Sequence, residues 1–280
     1  MLLQSLREQV LEANLELVKR GLVLYTFGNA SGIDRQQGLV VIKPSGVDYD
    51  DLRSEHMVVT DLDGNLVDGT LKPSSDLDTH TLLYREFPSI GAVVHTHSEF
   101  ATSFAQAGLP IPAFGTTHAD YFYGPIPCTE PLSDAAIGGR YVHETGLAIV
   151  RRFRGLGASP LEIVPIPGPE IDRGSTLALG GNSAGLSSWR SAAARPSATD
   201  HPQPIDPLAV PACLVAGHAP FVWGRTPHQA AHNAVVLEAI ARMAFRTLTL
   251  KSEAEAVSQA LLDRHYFRKH GATATYGQPT

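Results

Sequence analysis

The stretch Ile90-Gly91-Ala92-Val93-Val94-His95-Thr96-His97 is an apolar run that ends in two histidines one residue apart. Side chains alternate across a strand, so His95 and His97 share a face with Val93 and their rings point the same way. Two imidazoles at that spacing can share a divalent ion about 2.0 to 2.1 Å from each ring nitrogen. In an arbitrary chain His-x-His is more often two polar residues at a strand end, so the assignment needs further ligands. Two stand out: His218, at the end of a strand over Ala212 to Ala216, and Asp76, at the start of a helix. Three neutral imidazoles suit zinc, and a carboxylate can complete the tetrahedron. His228 and His232 lie four apart on a helix without the glutamate of HExxH, and read as surface or capping residues.

Other residues suit an anion. Gly28-Asn29-Ala30-Ser31-Gly32 reads as a small-residue loop able to expose backbone amides, and Lys43-Pro44-Ser45-Gly46 puts a lysine beside a tight turn. Pro73-Ser74-Ser75-Asp76 precedes a helix. Its serines and aspartate are cap residues first, yet a helix start also presents free N–H groups and partial positive charge to a phosphate. Residues 110–131 are rich in Pro, Gly and aromatics and enclose Thr116-Thr117-His118-Ala119-Asp120-Tyr121-Phe122, a polar cluster that suits a site better than a connector.

The positioning elements follow from periodicity. Leu3, Leu6, Val10, Ala13 and Leu17 form one apolar stripe on a helix over 2–20, with Gly21 where a C-terminal cap belongs. Strands are expected at Leu22 to Phe27 and Leu39 to Lys43, and a hairpin joins Val58–Thr60 to Leu66–Val67 through an Asp-Gly turn. Asp61-Leu62-Asp63-Gly64 lacks the later ligands of a calcium loop. Helices are expected at Leu77 to Phe87, from a Ser98 cap through Ala107, and at Asp134 to Arg152 with Gly138-Gly139 as an interruption. Another opens at Thr226-Pro227 and runs to about Leu248, and the last, boxed by Ser252 and Glu255, reaches about Lys269.

The 280 residues, 43% hydrophobic and 18% charged, describe an ordinary globule large enough for one or two domains. A net charge of -6 argues against a broad nucleic-acid or acidic-membrane surface. Arg7 and Glu8 come too early for a signal peptide, no apolar run approaches the roughly 20 residues of a membrane span, and a cytoplasmic location is expected. Cys128 and Cys213 are too few for a disulfide framework and read as small core residues. Residues 155–209 are rich in Pro, Gly and Ser and read as a surface excursion, with a short edge strand at Val164 and Ile166 at most.

Gly28-Asn29, Lys43-Pro44-Ser45-Gly46-Val47, Lys72-Pro73-Ser74-Ser75-Asp76, His95-Thr96-His97, Gly115 to Tyr121, Gly217-His218-Ala219-Pro220-Phe221 and His265 to Gly271 together resemble the class II aldolase/adducin-like family, in particular its pentulose-phosphate epimerases. The motifs keep the family's order and span residues 1–154 and 210–278; the excursion is what the family lacks. The resemblance implies an α/β fold, a three-layer α/β/α sandwich on a mainly antiparallel sheet, in a single catalytic domain over 1–280 interrupted at about 155–209. It implies zinc at Asp76, His95, His97 and His218, with manganese or cobalt as substitutes, and a homotetramer with sites at subunit interfaces. It places the substrate's phosphate against Asn29, Lys43, Ser45, Gly46, Ser74 and Ser75, with Arg268 reaching in from a neighbouring subunit and Thr116 and His265 also at the substrate.

The activity implied is interconversion of L-ribulose 5-phosphate and D-xylulose 5-phosphate by breaking and remaking the C3–C4 bond. Asp120 would serve one face of the aldehyde and Tyr276 of the adjacent subunit the other. Glu144 carries over, whereas Val142 stands where the family commonly has a second carboxylate. Rival readings are a class II aldolase of the fuculose-phosphate type, disfavoured by aspartate at 76, Asp120 and the Tyr276 tail, and a non-catalytic adducin-like interaction module, which would not need three metal histidines. The excursion is expected to loop outwards, since a long insertion adds slowly to closure entropy.

Overall fold

The computed structural model of the chain describes residues 1–156, 203–271 and 274. Most of the 155–209 excursion, including the edge strand expected at Val164 and Ile166, lies outside the described residues, as does Tyr276. The far end of the excursion is packed: Ile205 donates its N–H to the Phe153 carbonyl, and the Trp223 indole donates to the Pro207 carbonyl.

In chain order the described elements are α1 (Gln4–Lys19), β1 (Asn29–Asp34), β2 (Leu39–Ile42), β3 (Val58–Asp61), β4 (Leu66–Asp68), α2 (Leu77–Glu86), β5 (Ala92–His95) and α3 (Glu99–Gln106). Then come α4 (Gly115–Ala119), α5 (Asp134–Gly138), α6 (Tyr141–Phe153), β6 (Ala212–Leu214), β7 (Pro220–Gly224), α7 (Pro227–Leu250) and α8 (Gln259–His270). The strands form one sheet in the order β4-β3-β2-β1-β5-β7-β6, and every neighbouring pair is antiparallel.

Helices cover both faces, because the strands are apolar on both. Ala30, Ala92, Val94 and Val222 face α1, α3 and α7, while Ile33, Val93, Phe221 and Trp223 face α2 and α6. This alternation gives the three-layer α/β/α sandwich, and each fully buried Val or Leu contributes roughly 1.5–3 kcal/mol. The same period puts Asn29, Ser31 and His95 on the α2 side of the sheet.

Several local expectations give way to packing. Leu22 to Phe27 is not a strand; the strand begins at Asn29, inside the stretch read as a loop. Its small residues are there for close approach. A Cβ at Gly32 would sit 2.8 Å from Leu6 and 3.1 Å from Pro227, so glycine lets α1 and α7 lie against β1. Strand β5 ends at His95, leaving His97 beyond it, and β7 runs through an apolar segment that opens on Pro220.

The helix expected over 134–152 is split after Gly138, as its glycine pair suggests. The last helix starts at Gln259 under a Ser258 cap, so Ser252 and Glu255 form no capping box. Ser98 makes no side-chain cap for α3. Glu238 of α7 does so instead, its carboxylate accepting the N–H groups of Phe100 at 2.8 Å and Ala101 at 3.0 Å. Among the described residues no helix is long and apolar enough to cross a membrane.

Candidate active site

The sheet and its turns bring the three histidines together. Antiparallel register sets Asn29 opposite His95 and His95 opposite Phe221, so these three side chains lie abreast on the α2 face. His218 sits in the turn between β6 and β7, where Gly217 takes φ +71° and the Val215 N–H closes the hairpin on the Ala219 carbonyl at 3.0 Å. The ring centroids of His95 and His97 are 4.9 Å apart, those of His95 and His218 4.9 Å, and those of His97 and His218 5.1 Å. One nitrogen from each lies within 4.8 Å of the others.

His95 is locked. Its Nδ1 is 2.9 Å from the Pro220 carbonyl, which can only accept, so Nδ1 carries the proton and Nε2 keeps its lone pair. Its ring stacks on Phe221 at 4.2 Å. Burial pushes all three imidazoles below the ordinary histidine range, His218 to about 4, so they are neutral at physiological pH, the form a metal requires. The His218 Nδ1 is buried with no hydrogen-bond partner. A donor set of neutral imidazoles, one oriented by a backbone carbonyl, fits a divalent ion.

Asp76 stands at the N-cap position of α2, its side chain making no cap bond, and lines the same cleft. Burial would raise its pKa, but the neighbouring His95 and His80 and a hydrogen bond from Asn29 outweigh it and hold the carboxyl below its usual range. Asn29 Nδ2 donates to Asp76 Oδ2 at 2.7 Å and to Ser74 Oγ at 3.0 Å. Both of its amide hydrogens are thereby engaged, so Asn29 braces the carboxylate against the serine turn.

Next to Asp76, the wall of this cleft, which encloses about 520 Å³, is built from two turns laced together. Ser45 N–H donates to the Lys72 carbonyl at 2.9 Å and Ser74 N–H to the Lys43 carbonyl at 3.0 Å, with a β-bridge between Pro44 and Pro73. Ser45, Gly46, Ser74 and Ser75 line it beside Asn29 and Lys43. Lys43 is buried, its ammonium 3.0 Å from the Val47 carbonyl and 4.6 Å from the centre of the Tyr49 ring. Burial lowers its pKa, with Asp48 acting against the shift.

A second cluster gathers on α4 and α8. Asp120 accepts from His265 Nδ1 at 2.9 Å and from Arg268 Nη2 at 3.0 Å, with Lys269 Nζ 3.6 Å away. Burial opposes ionisation here, but His265, Arg268 and Lys269 hold the Asp120 carboxyl below the usual range. Asp120, His265, Arg268, the exposed Thr116 and Glu144 are not among the residues lining the cleft. Within one chain, Arg268 is engaged by Asp120.

The sequence profile of the class II aldolase and adducin N-terminal domain family matches residues 8–157 and 192–245. The chain belongs to that family. Its structure is similar to an L-fuculose 1-phosphate aldolase, 18% identical with a TM-score of 0.62 over 93% of this chain and 94% of that one. YgbL of Klebsiella pneumoniae, a proposed aldolase/epimerase/decarboxylase, is 20% identical with a TM-score of 0.62 over 93% and 97% of the two chains. The L-fuculose-1-phosphate aldolase of Thermus thermophilus is 16% identical with a TM-score of 0.57 over 90% and 100%. At such identities the likeness speaks to the fold.

In this class II aldolase/adducin fold the cleft and the core behind it also hold residues that sequence reasoning passes over. Thr26 and Phe27 form part of its wall, Phe27 with its ring 6.4 Å from that of His97. Both fall in the expected strand over Leu22 to Phe27, and Gly28, at φ +73°, is the local sign of a turn there. His80 lies one helical turn after Asp76 and is completely buried. Its signal is the i, i+4 spacing from a candidate ligand.

Proposed function

We propose that this chain is a divalent-metal-dependent enzyme that interconverts L-ribulose 5-phosphate and D-xylulose 5-phosphate. The observation that carries the reading is a single cleft lined by three neutral imidazoles, by Asp76 and, continuous with Asp76, by two laced Ser/Gly/Lys turns. The imidazoles and Asp76 suit the oxygens of a ketose held on a metal, and the turns suit a phosphate dianion.

His95, His97, His218 and Asp76 hold the ion, zinc by ligand type with manganese or cobalt as substitutes. When bound, it supplies a Lewis acid for the negative charge that develops on the ketose oxygens during carbon–carbon cleavage. Lys43 provides positive charge near the phosphate, while Ser45, Ser74 and Ser75 offer hydroxyl donors and Gly46 its backbone N–H. Asn29 holds Asp76 and the serine turn in register.

A base removes the C4 hydroxyl proton, the C3–C4 bond breaks, and its electron pair stays with the three-carbon fragment as an enediolate. Glycolaldehyde phosphate turns over and is attacked on its other face, and the new C4 alkoxide takes a proton from an acid there. Asp120, held ionised by His265 and Arg268, serves one face and Tyr276 the other. Since Asp120, Thr116, His265 and Arg268 are not among the residues lining the cleft of their own chain, these roles call for an oligomer, a homotetramer on this reading, in which the second cluster meets a partner's cleft.

Purified protein incubated with L-ribulose 5-phosphate should yield D-xylulose 5-phosphate without net cleavage. A chelator should abolish turnover, and zinc, manganese or cobalt should restore it. Aldol products alone, from dihydroxyacetone phosphate and an aldehyde, would establish an aldolase of the fuculose-phosphate type. Absence of both activities in metal-loaded protein would favour an adducin-like interaction module.

A further inference from the structure

Behind the cleft lies a polar chain that the proposed reaction leaves unused. His80 of α2 is 0% exposed, with Nδ1 2.7 Å from Ser31 Oγ, and Ser31 Oγ is in turn 2.7 Å from the Tyr84 hydroxyl. Its other nitrogen, Nε2, is buried with no partner. An unpartnered polar atom in the core costs about 1–3 kcal/mol, so its placement needs a reason.

One of the two directions this chain can take leaves a donor on the free nitrogen. Either hydroxyl of the Tyr84–Ser31 pair can donate to the other, and in one of the two arrangements the Tyr84 proton goes to Ser31. In that arrangement the Ser31 hydroxyl donates to His80 Nδ1. Burial keeps His80 neutral, and a neutral ring that accepts at Nδ1 carries its one proton on Nε2. That unused donor belongs to a residue four positions after Asp76, hence on the same face of the helix start. Asp76 is also the charge that most opposes the effect of burial on His80.

Asp76 needs such a donor. Asn29 already holds Oδ2 at 2.7 Å, and Asp76 stands outside the group formed by the three imidazoles. A carboxylate that must turn from its brace toward a metal is commonly steered by a second hydrogen bond. We propose that His80 is a positioning residue whose Nε2–H donates to the Asp76 carboxylate and steers it toward His95, His97 and His218. Ser31 and Tyr84 hold His80 in the tautomer that makes this donation, and Ser31 lies opposite Val93 of the strand that carries His95. The proposal rests on the reading that the cleft binds a divalent ion.

The test compares His80→Phe, which keeps a ring but loses the donor, with His80→Gln, whose amide nitrogen takes the place of Nε2. Zinc affinity is measured by competition with a chromophoric chelator, alongside thermal unfolding of the metal-free proteins. His80→Phe should bind zinc about 10- to 100-fold more weakly while His80→Gln stays within about threefold of the parent chain, whatever the two changes do to unfolding. Equal affinity in His80→Phe, or equal loss in both variants, overturns the proposal. If His80→Phe does not fold, Ser31→Ala carries the test, since freeing Nδ1 from its donor should weaken zinc binding, and unchanged affinity in a folded Ser31→Ala protein overturns it.

Nitrogen-15 spectra of the parent chain give an independent readout. They should show neutral His80 protonated on Nε2, and protonation on Nδ1 refutes the argument. A parent chain that binds no zinc, manganese or cobalt brings down the metal reading and this proposal together. A parent chain that binds while His80→Phe binds equally well brings down this proposal alone.

Discussion

Acidification should separate His118 from a residue that cannot take up a proton. His118 is 1% exposed, its Nε2–H donates to the Gly124 carbonyl at 2.7 Å, and burial pushes its pKa down to about 4. The unfolded chain takes up the proton near the ordinary value of 6.5, while the folded chain holds it off until about 4. Stability from the neutral ring is therefore complete above pH ~6.5, shrinks as the pH falls through that window, and is gone once the pH drops through about 4. The whole shift corresponds to about 3 kcal/mol, with a slope no steeper than about 1.4 kcal/mol per pH unit. The perturbation is His118→Gln, whose amide nitrogen can still donate to Gly124 but does not titrate. Urea unfolding of metal-free protein from pH ~7.5 to ~4.5 should show the parent chain losing about 2.5 kcal/mol relative to the variant. His80 and His218 are also pushed down by burial, but they titrate in both proteins and cancel. Curves that stay parallel within about 0.5 kcal/mol would refute the reasoning.

Glu238→Gln replaces the charged acceptor at the start of α3, immediately after His97, with a neutral one. Stability in urea should fall by about 1–2 kcal/mol at low salt, less at high salt; a change below about 0.3 kcal/mol would show that the carboxylate does not hold this helix end. Gly28→Ala puts a Cβ 2.9 Å from the His95 carbonyl at a backbone φ of +73°. A loss of about 1–3 kcal/mol is expected, accompanied by weaker zinc binding because the His95 strand must give way; a melting temperature within about a degree of the parent's would contradict both. Asn29→Ala removes the brace between Asp76 and Ser74. It should weaken zinc and inorganic phosphate together, by about tenfold each, and an effect confined to one ligand would mean that the two parts of the cleft are independent.

How much of this can be read from the chain depends on how far away the cause of each feature lies. His95 is legible because alternation over a few residues assigns it a face, and Asp76 because helix starts have a local grammar. His97 converges with His95 although β5 ends between them, so the spacing is a sound guide and the strand drawn through it is too long. Gly32 reads as loop because its reason is the approach of Leu6 and Pro227, both distant in sequence. Ser98 looks like a cap, yet the cap is a carboxylate on α7. His80 carries no local mark beyond its spacing, since a histidine on an apolar helix face is ordinarily core. What singles it out is a buried nitrogen without a partner, a property of the packed protein. Short-range periodicity thus places a candidate metal ligand on its element, whereas the groups that hold it come from whichever strand or helix the fold lays alongside: Asn29 and Ser31 from the α2 face of β1, and the backbone carbonyl of Pro220 from β7.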